Sequence, residues 1–137
     1  YDDFRVVRQN LLGDGGASTD GRMLTYTVFM DPQLGRAGLT ERMARDRGYD
    51  VRVAKMPMSR VARALEVDEP RGVMKAIVEA DTDQLLGAAV LGLEGGEVAS
   101  VLRVAMMGGL PYTALRDAVL PHPTLAEALN NLFMTLD

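Results

Sequence analysis

A chain of 137 residues, 47% hydrophobic and 25% charged, has the composition of an ordinary globule and the length of one domain, enough to bury about two-thirds of its unfolded surface. Its net charge of −4, with no basic block, disfavours nucleic acid and anionic membranes as partners. The absence of cysteine excludes disulfides, thiolate nucleophiles and thiolate-held metals within the chain, and fits an intracellular protein with the cytoplasm as its expected compartment.

A single histidine leaves no histidine cluster for a metal. No apolar run reaches the ~18 residues of a membrane span, Arg103 interrupting the longest candidate, and the first residues carry no signal-peptide core. Beginning at Tyr1 rather than Met, the chain reads as a fragment of something longer.

Residues 1–12 mix charges with Phe4, Val6, Val7, Leu11 and Leu12 and read as a strand or an arm packed on the body. Gly13 to Gly21 is a glycine-rich loop, so residues 1–24 are expected to lead into a domain spanning 25–137. Thr25 to Met30, rich in β-branched and aromatic side chains, reads as a strand ended by Asp31-Pro32. Thr40 is placed to cap a short helix from Glu41 to Arg47, stopped by Gly48. Val51 to Met58 reads as a strand broken at Pro57, and Arg60 to Glu66 as a helical turn.

Val73 to Glu79 and Leu85 to Leu91 form two apolar strands whose joining residues, Ala80 to Gln84, have hairpin length and turn composition. After Gly92 to Gly96, Val98, Val101, Leu102, Ala105 and Met106 recur at helical spacing, with Gly108 and Gly109 as the stop. Thr113 is placed to cap a further helix through Val119. Strands first and helices last give an α+β class: an antiparallel sheet with helices packed on one face.

Three chemical signals weigh little. The glycines at 92, 95 and 96 follow a strand and precede a helix, but Glu94 stands where Gly-x-Gly-x-x-Gly needs its second glycine, so a sharp turn is the better account. Asp81 and Asp83 lack the glycine and distal glutamate of a calcium loop. Met56, Met58, Met106 and Met107 suit a soft metal in principle, yet methionine in an apolar chain is usually core or interface filler.

The one imidazole is different. His122 lies between Pro121 and Pro123, each of which locks its own φ and biases its predecessor towards extended backbone, so a short stiff turn is expected. Thr124 follows as an N-cap for a helix carrying Leu125, Leu129, Leu132, Phe133 and Leu136. Glu127 stands at capping-box spacing from Thr124. Its other reading is as the carboxylate that orients His122 for acid/base work. Spacing alone favours the cap, and a lone histidine is more often structural than catalytic.

Resemblance shifts that balance. Phe29-Met30-Asp31-Pro32-Gln33-Leu34-Gly35-Arg36-Ala37-Gly38-Leu39-Thr40-Glu41, Gly72 to Lys75, Asp81 to Asp83, Leu86-Gly87-Ala88, Gly92 to Glu97, Gly109-Leu110 and His122-Pro123-Thr124 through Glu127 resemble, in order, the C-terminal dimerisation domain of the pyridine nucleotide-disulfide oxidoreductases. This is the flavoprotein family of glutathione reductase, lipoamide dehydrogenase and mercuric-reductase-like enzymes. The resemblance implies that domain's α+β fold, a homodimer, and a His-Pro loop that crosses to the partner subunit. It makes His122 the acid/base at the partner's redox disulfide and Glu127 its orienting partner. FAD and NAD(P)H are implied for a full-length parent, none of whose cofactor fingerprints occur in this chain, so the chain alone is expected to be inactive. The other readings are a stand-alone dimerisation or adaptor module, and a small-ligand or metal domain using the methionines.

Overall fold

The computed structural model describes all residues from Tyr1 to Asp137. Its centre is one sheet of five strands, all pairs antiparallel: β1 (Thr25–Val28), β2 (Leu34–Gly38), β3 (Val51–Pro57), β4 (Val73–Glu79) and β5 (Leu85–Leu91), in the spatial order β1-β2-β5-β4-β3. The β4–β5 hairpin pairs Val73 with Leu91 and Ala76 with Ala88, slipping at Ile77/Val78. Pro57 closes β3 opposite Val73, on an edge strand, where a missing amide donor is tolerated.

Alternation along the strands sorts the side chains onto two faces. Met74, Ala76 and Val78 of β4 share one face with Ala54 and Met56 of β3 and with Ala88 and Val90 of β5, and they enter a core of 20 buried residues. That face is covered by α4 (Gly95–Met107), α5 (Tyr112–Arg116) and α6 (Ala128–Phe133), which contribute Val98, Leu102, Leu115, Leu129, Leu132 and Phe133. No polar or charged residue is buried. Met56, Met58 and Met74 are fully buried in this apolar core, where thioethers serve as adaptable filler.

On the opposite face Ala44, Val51 and Ile77 make a small second cluster. It lies under α2 (Glu41–Asp46), capped as expected by the Thr40 hydroxyl, which accepts from the Met43 amide at 3.0 Å. Glu41 of α2 bonds the Lys75 ammonium at 2.7 Å. The α+β class and antiparallel sheet therefore stand, with the long helix and its successors on one face and the six-residue α2 on the other.

Three elements differ from the sequence reading. Residues 1–12 form no strand: Asp2–Leu12 is a helix, α1, with no buried residue, held by Arg22 to Asp2 and Asp3 at 2.8 and 3.0 Å. Strand β2 has no sequence signature, because two of its five residues are glycine. The third is α5, which begins after Pro111 and ends at Arg116, with no side-chain cap from Thr113. Proline suits the position before a first helical turn, and Val119, fully exposed, lies beyond the helix in a loop. The remaining helix, α3 (Ala62–Glu66), is the helical turn expected there.

Candidate functional site

The histidine sits on the loop between α5 and α6, and residues 118–124 take part in no backbone–backbone hydrogen bond. Side chains hold it instead. The Thr124 hydroxyl donates to the Pro121 carbonyl at 2.9 Å and accepts from the Glu127 amide at 3.1 Å. One residue thus closes the turn over His122 and caps the turn Leu125–Glu127, whose carbonyls accept from the Ala128, Leu129 and Asn130 amides. Leu129, Leu132 and Phe133 beyond it are fully buried and anchor α6 to the sheet. The His122–Pro123 peptide is cis.

Only half of the capping box forms. Thr124 receives the Glu127 amide, but the Glu127 carboxylate turns away from the cap and meets His122 Nδ1 at 2.8 Å. The two readings of Glu127 therefore describe two different groups of one residue, its amide and its carboxylate. His122 is 66% exposed and Glu127 28%. A carboxylate can only accept, which makes Nδ1 the donor and leaves Nε2 as the outward, exchangeable nitrogen. No side chain of the chain itself bonds Nε2.

Surface ion pairs flank the loop entry. Arg116 meets Asp117 at 2.8 Å and Asp137 at 2.9 Å. Hydrogen bonding to Arg116 holds the Asp117 carboxyl below its usual range, and the Arg116 guanidinium is raised by Asp117 and Asp137. The cavity beside the loop, about 570 Å³, is lined by Arg63, Glu94, Glu97, Pro123 and Thr124 among others, but not by His122. The arrangement is a carboxylate-oriented imidazole facing outwards, able to take or give a proton at Nε2 to a group from elsewhere.

The residues at the strand-to-helix turn before α4 do not fit a dinucleotide. Added Cβ atoms at Gly95 and Gly96 would lie 2.5 Å from the Val90 carbonyl and 2.6 Å from the Thr27 hydroxyl. These glycines thus let the helix approach the sheet rather than a pyrophosphate. Glu94, at φ 48°, and Glu97 put carboxylates at the helix start where a phosphate would need amides and positive potential. The Asp83 carboxylate is engaged by Arg52 in the hairpin turn.

Sequence reasoning missed the Thr124–Pro121 contact and a role for Asn130, whose side-chain amide reaches the end of α5. The available hint was an asparagine inside a helix, where it is a poor former and its side chain seeks backbone partners.

The dimerisation domain of the pyridine nucleotide-disulphide oxidoreductases matches residues 24–133. The probable pyridine nucleotide-disulfide oxidoreductase RclA of Escherichia coli is 44% identical over 96% of this chain, which spans 30% of that relative. A mercuric reductase of Staphylococcus aureus is 35% identical over 96% of the chain, covering 24% of the enzyme. A dihydrolipoyl dehydrogenase of Mycobacterium leprae is 39% identical over 85%, covering 25%. Among solved structures, the HOCl-induced flavoprotein disulfide reductase RclA from Escherichia coli superposes with a TM-score of 0.91 at 43% identity, over 99% of this chain and 32% of its own. LpdA from Mycobacterium tuberculosis, at 20% identity and a TM-score of 0.82 over 97% of this chain and 29% of its own, shares the fold.

Proposed function

The chain belongs to the dimerisation-domain family of the pyridine nucleotide-disulphide oxidoreductases, and from that premise we propose that it forms the homodimer interface of a cytoplasmic, FAD- and NAD(P)H-dependent disulfide reductase and lends His122 and Glu127 to the partner subunit's redox disulfide. On this reading residues 1–24 lead into the domain and residues 25–137 form it. The cofactors and the redox cysteines belong to the remainder of the parent, since the chain spans about 30% of its Escherichia coli relative.

The observation that carries the reading is the 2.8 Å contact of His122 Nδ1 with Glu127 on an exposed loop. A thiolate of the parent attacks a substrate disulfide, a mixed disulfide forms, and the departing sulfur needs a proton. An imidazolium at Nε2 supplies that proton and favours the thiolate form of the attacking cysteine by its charge. Neutral again, it takes the proton of the next thiol. Glu127 fixes the ring, supplying the positioning on which proton transfer depends. A stand-alone dimerisation module has no use for an imidazole turned outwards by a carboxylate.

The test is His122→Gln in a full-length flavoprotein carrying this domain. NAD(P)H is expected still to bleach the flavin at the normal rate, while disulfide turnover falls by about 10²–10⁴-fold, the usual contribution of a general acid/base. Unchanged turnover overturns the reading.

A further inference from the structure

The loop that carries His122 has almost nothing of its own to hold it. Residues 118–124 lie outside every helix and strand and outside the backbone hydrogen-bond network, and Val119 in its middle is fully exposed. Where the loop leaves α5, three carbonyls converge on one side chain. Asn130 Nδ2 donates to the carbonyls of Leu115 at 2.7 Å, Arg116 at 3.1 Å and Ala118 at 3.1 Å. Two amide protons thereby serve three acceptors that the end of a five-residue helix would otherwise leave unpaired.

Asn130 is half-buried, and it rises from α6 between the fully buried Leu129 and Leu132. Its backbone amide bonds the carbonyl of Glu127 at 3.0 Å. The residue that fastens the loop entry is thus one helical turn from the carboxylate that holds the imidazole.

We infer that Asn130 is a positioning residue for His122. It ties the departure of the loop to the same rigid helix that presents Glu127, so that His122 Nδ1 and the Glu127 carboxylate stay in register. Thr124 fixes the exit of the loop, Asn130 its entry, and the imidazole is suspended between them. The functional part of this inference rests on the acid/base reading of His122, whereas the clamp itself is a property of the chain alone.

Because His122 is the only histidine, its ring is a single, assignable signal in the NMR spectrum of the 137-residue chain. In Asn130→Asp, which keeps the shape and removes both donors, the amides of the loop are expected to show increased fast motion. The His122 ring nitrogens are expected to move towards the shifts of a Glu127→Gln variant, while the spectrum of the sheet stays in place. Loop order and ring shifts unchanged in Asn130→Asp overturn the inference.

Should Asn130→Asp not fold, the unmodified chain decides. The Asn130 side-chain amide protons are expected to exchange with solvent at least tenfold more slowly than those of the exposed Asn10, whose side chain bonds the Ala17 carbonyl, and exchange at the rate of a free amide overturns the clamp. In a full-length flavoprotein the same variant is expected to lower kcat for disulfide turnover with KM and flavin reduction retained. If His122→Gln leaves turnover intact while Asn130→Asp still loosens the loop, the acid/base reading fails and the clamp stands.

Discussion

Glu127 joins local folding to chemistry through two separate atoms. Its amide is spent on the Thr124 cap and its carboxylate on His122, so the two roles respond to different substitutions. Glu127→Gln keeps the amide and the side-chain length while removing the charge that anchors Nδ1. Stability in urea is expected to change by no more than about 0.5 kcal/mol, as for most surface substitutions. Turnover in the full-length flavoprotein is expected to fall by a factor between about ten and the roughly 10⁴ that follows removal of an orienting carboxylate from a catalytic triad. A loss of stability of about 1 kcal/mol with full turnover would instead mark the residue as a cap.

At the scale of elements, the position of α4 depends on backbone contact. A Cβ at Gly35 of β2 would lie 2.1 Å from the Gly95 carbonyl and 2.8 Å from the Ala99 Cβ, and Gly95 and Gly96 return the same intimacy from the helix. The neighbours of Gly35 are the Gly95 backbone and the Ala99 Cβ, with no flexible side-chain end among them, so the helix itself has to shift. Gly35→Ala is therefore expected to cost at least the 1–3 kcal/mol typical of overpacking, measured by chemical denaturation. The disturbance is expected in the amide spectra of β1, β2 and α4, with α6 and the His122 loop left in place. The half-buried Gly15, at φ 77° with no atom within 4 Å of an added Cβ, lacks this clash, and Ala there brings only the strain of its backbone angle.

At the scale of the molecule, the exposed ion pairs give stability a pH dependence of definite sign. Hydrogen bonds from Lys75 and then Arg45 lower Glu41 below its usual 4.5, Arg71 does the same for Glu69, and Arg116 lowers Asp117 below 3.8. A carboxyl whose pKa is lower in the folded state contributes stability that is fully present above its unfolded value and is lost as pH falls through the folded one. The melting temperature is expected to be flat with respect to these groups above about pH 5 and to decline below about pH 4.5. Removing the first cause for Glu41 with Lys75→Met is expected to flatten part of that acid decline. A melting temperature that rises on acidification would contradict the assignment.

Much of this molecule is local. The β4–β5 hairpin, the Thr40 and Thr124 caps and the apolar repeat of α4 are legible because each depends on neighbours within a few residues: turn composition, cap spacing, helical period. The resemblance carried by motifs from Phe29 to Glu127 likewise names the family, because those motifs occur in order along one chain. Tertiary structure decided the rest. Strand β2 has too little β character to be read alone, and it exists because Gly35 admits the backbone of α4 and because β1 and β5 pair with it on either side. The start, read as a strand or arm, is a helix with no buried residue. The grip of Asn130 on a helix end 12 to 15 residues earlier follows from how α5 and α6 pack against each other, and the choice of the Glu127 carboxylate between cap and imidazole from the fold of the turn that carries His122. Spacing cannot express that choice, because both arrangements satisfy the same local geometry and only the folded chain brings one donor closer than the other.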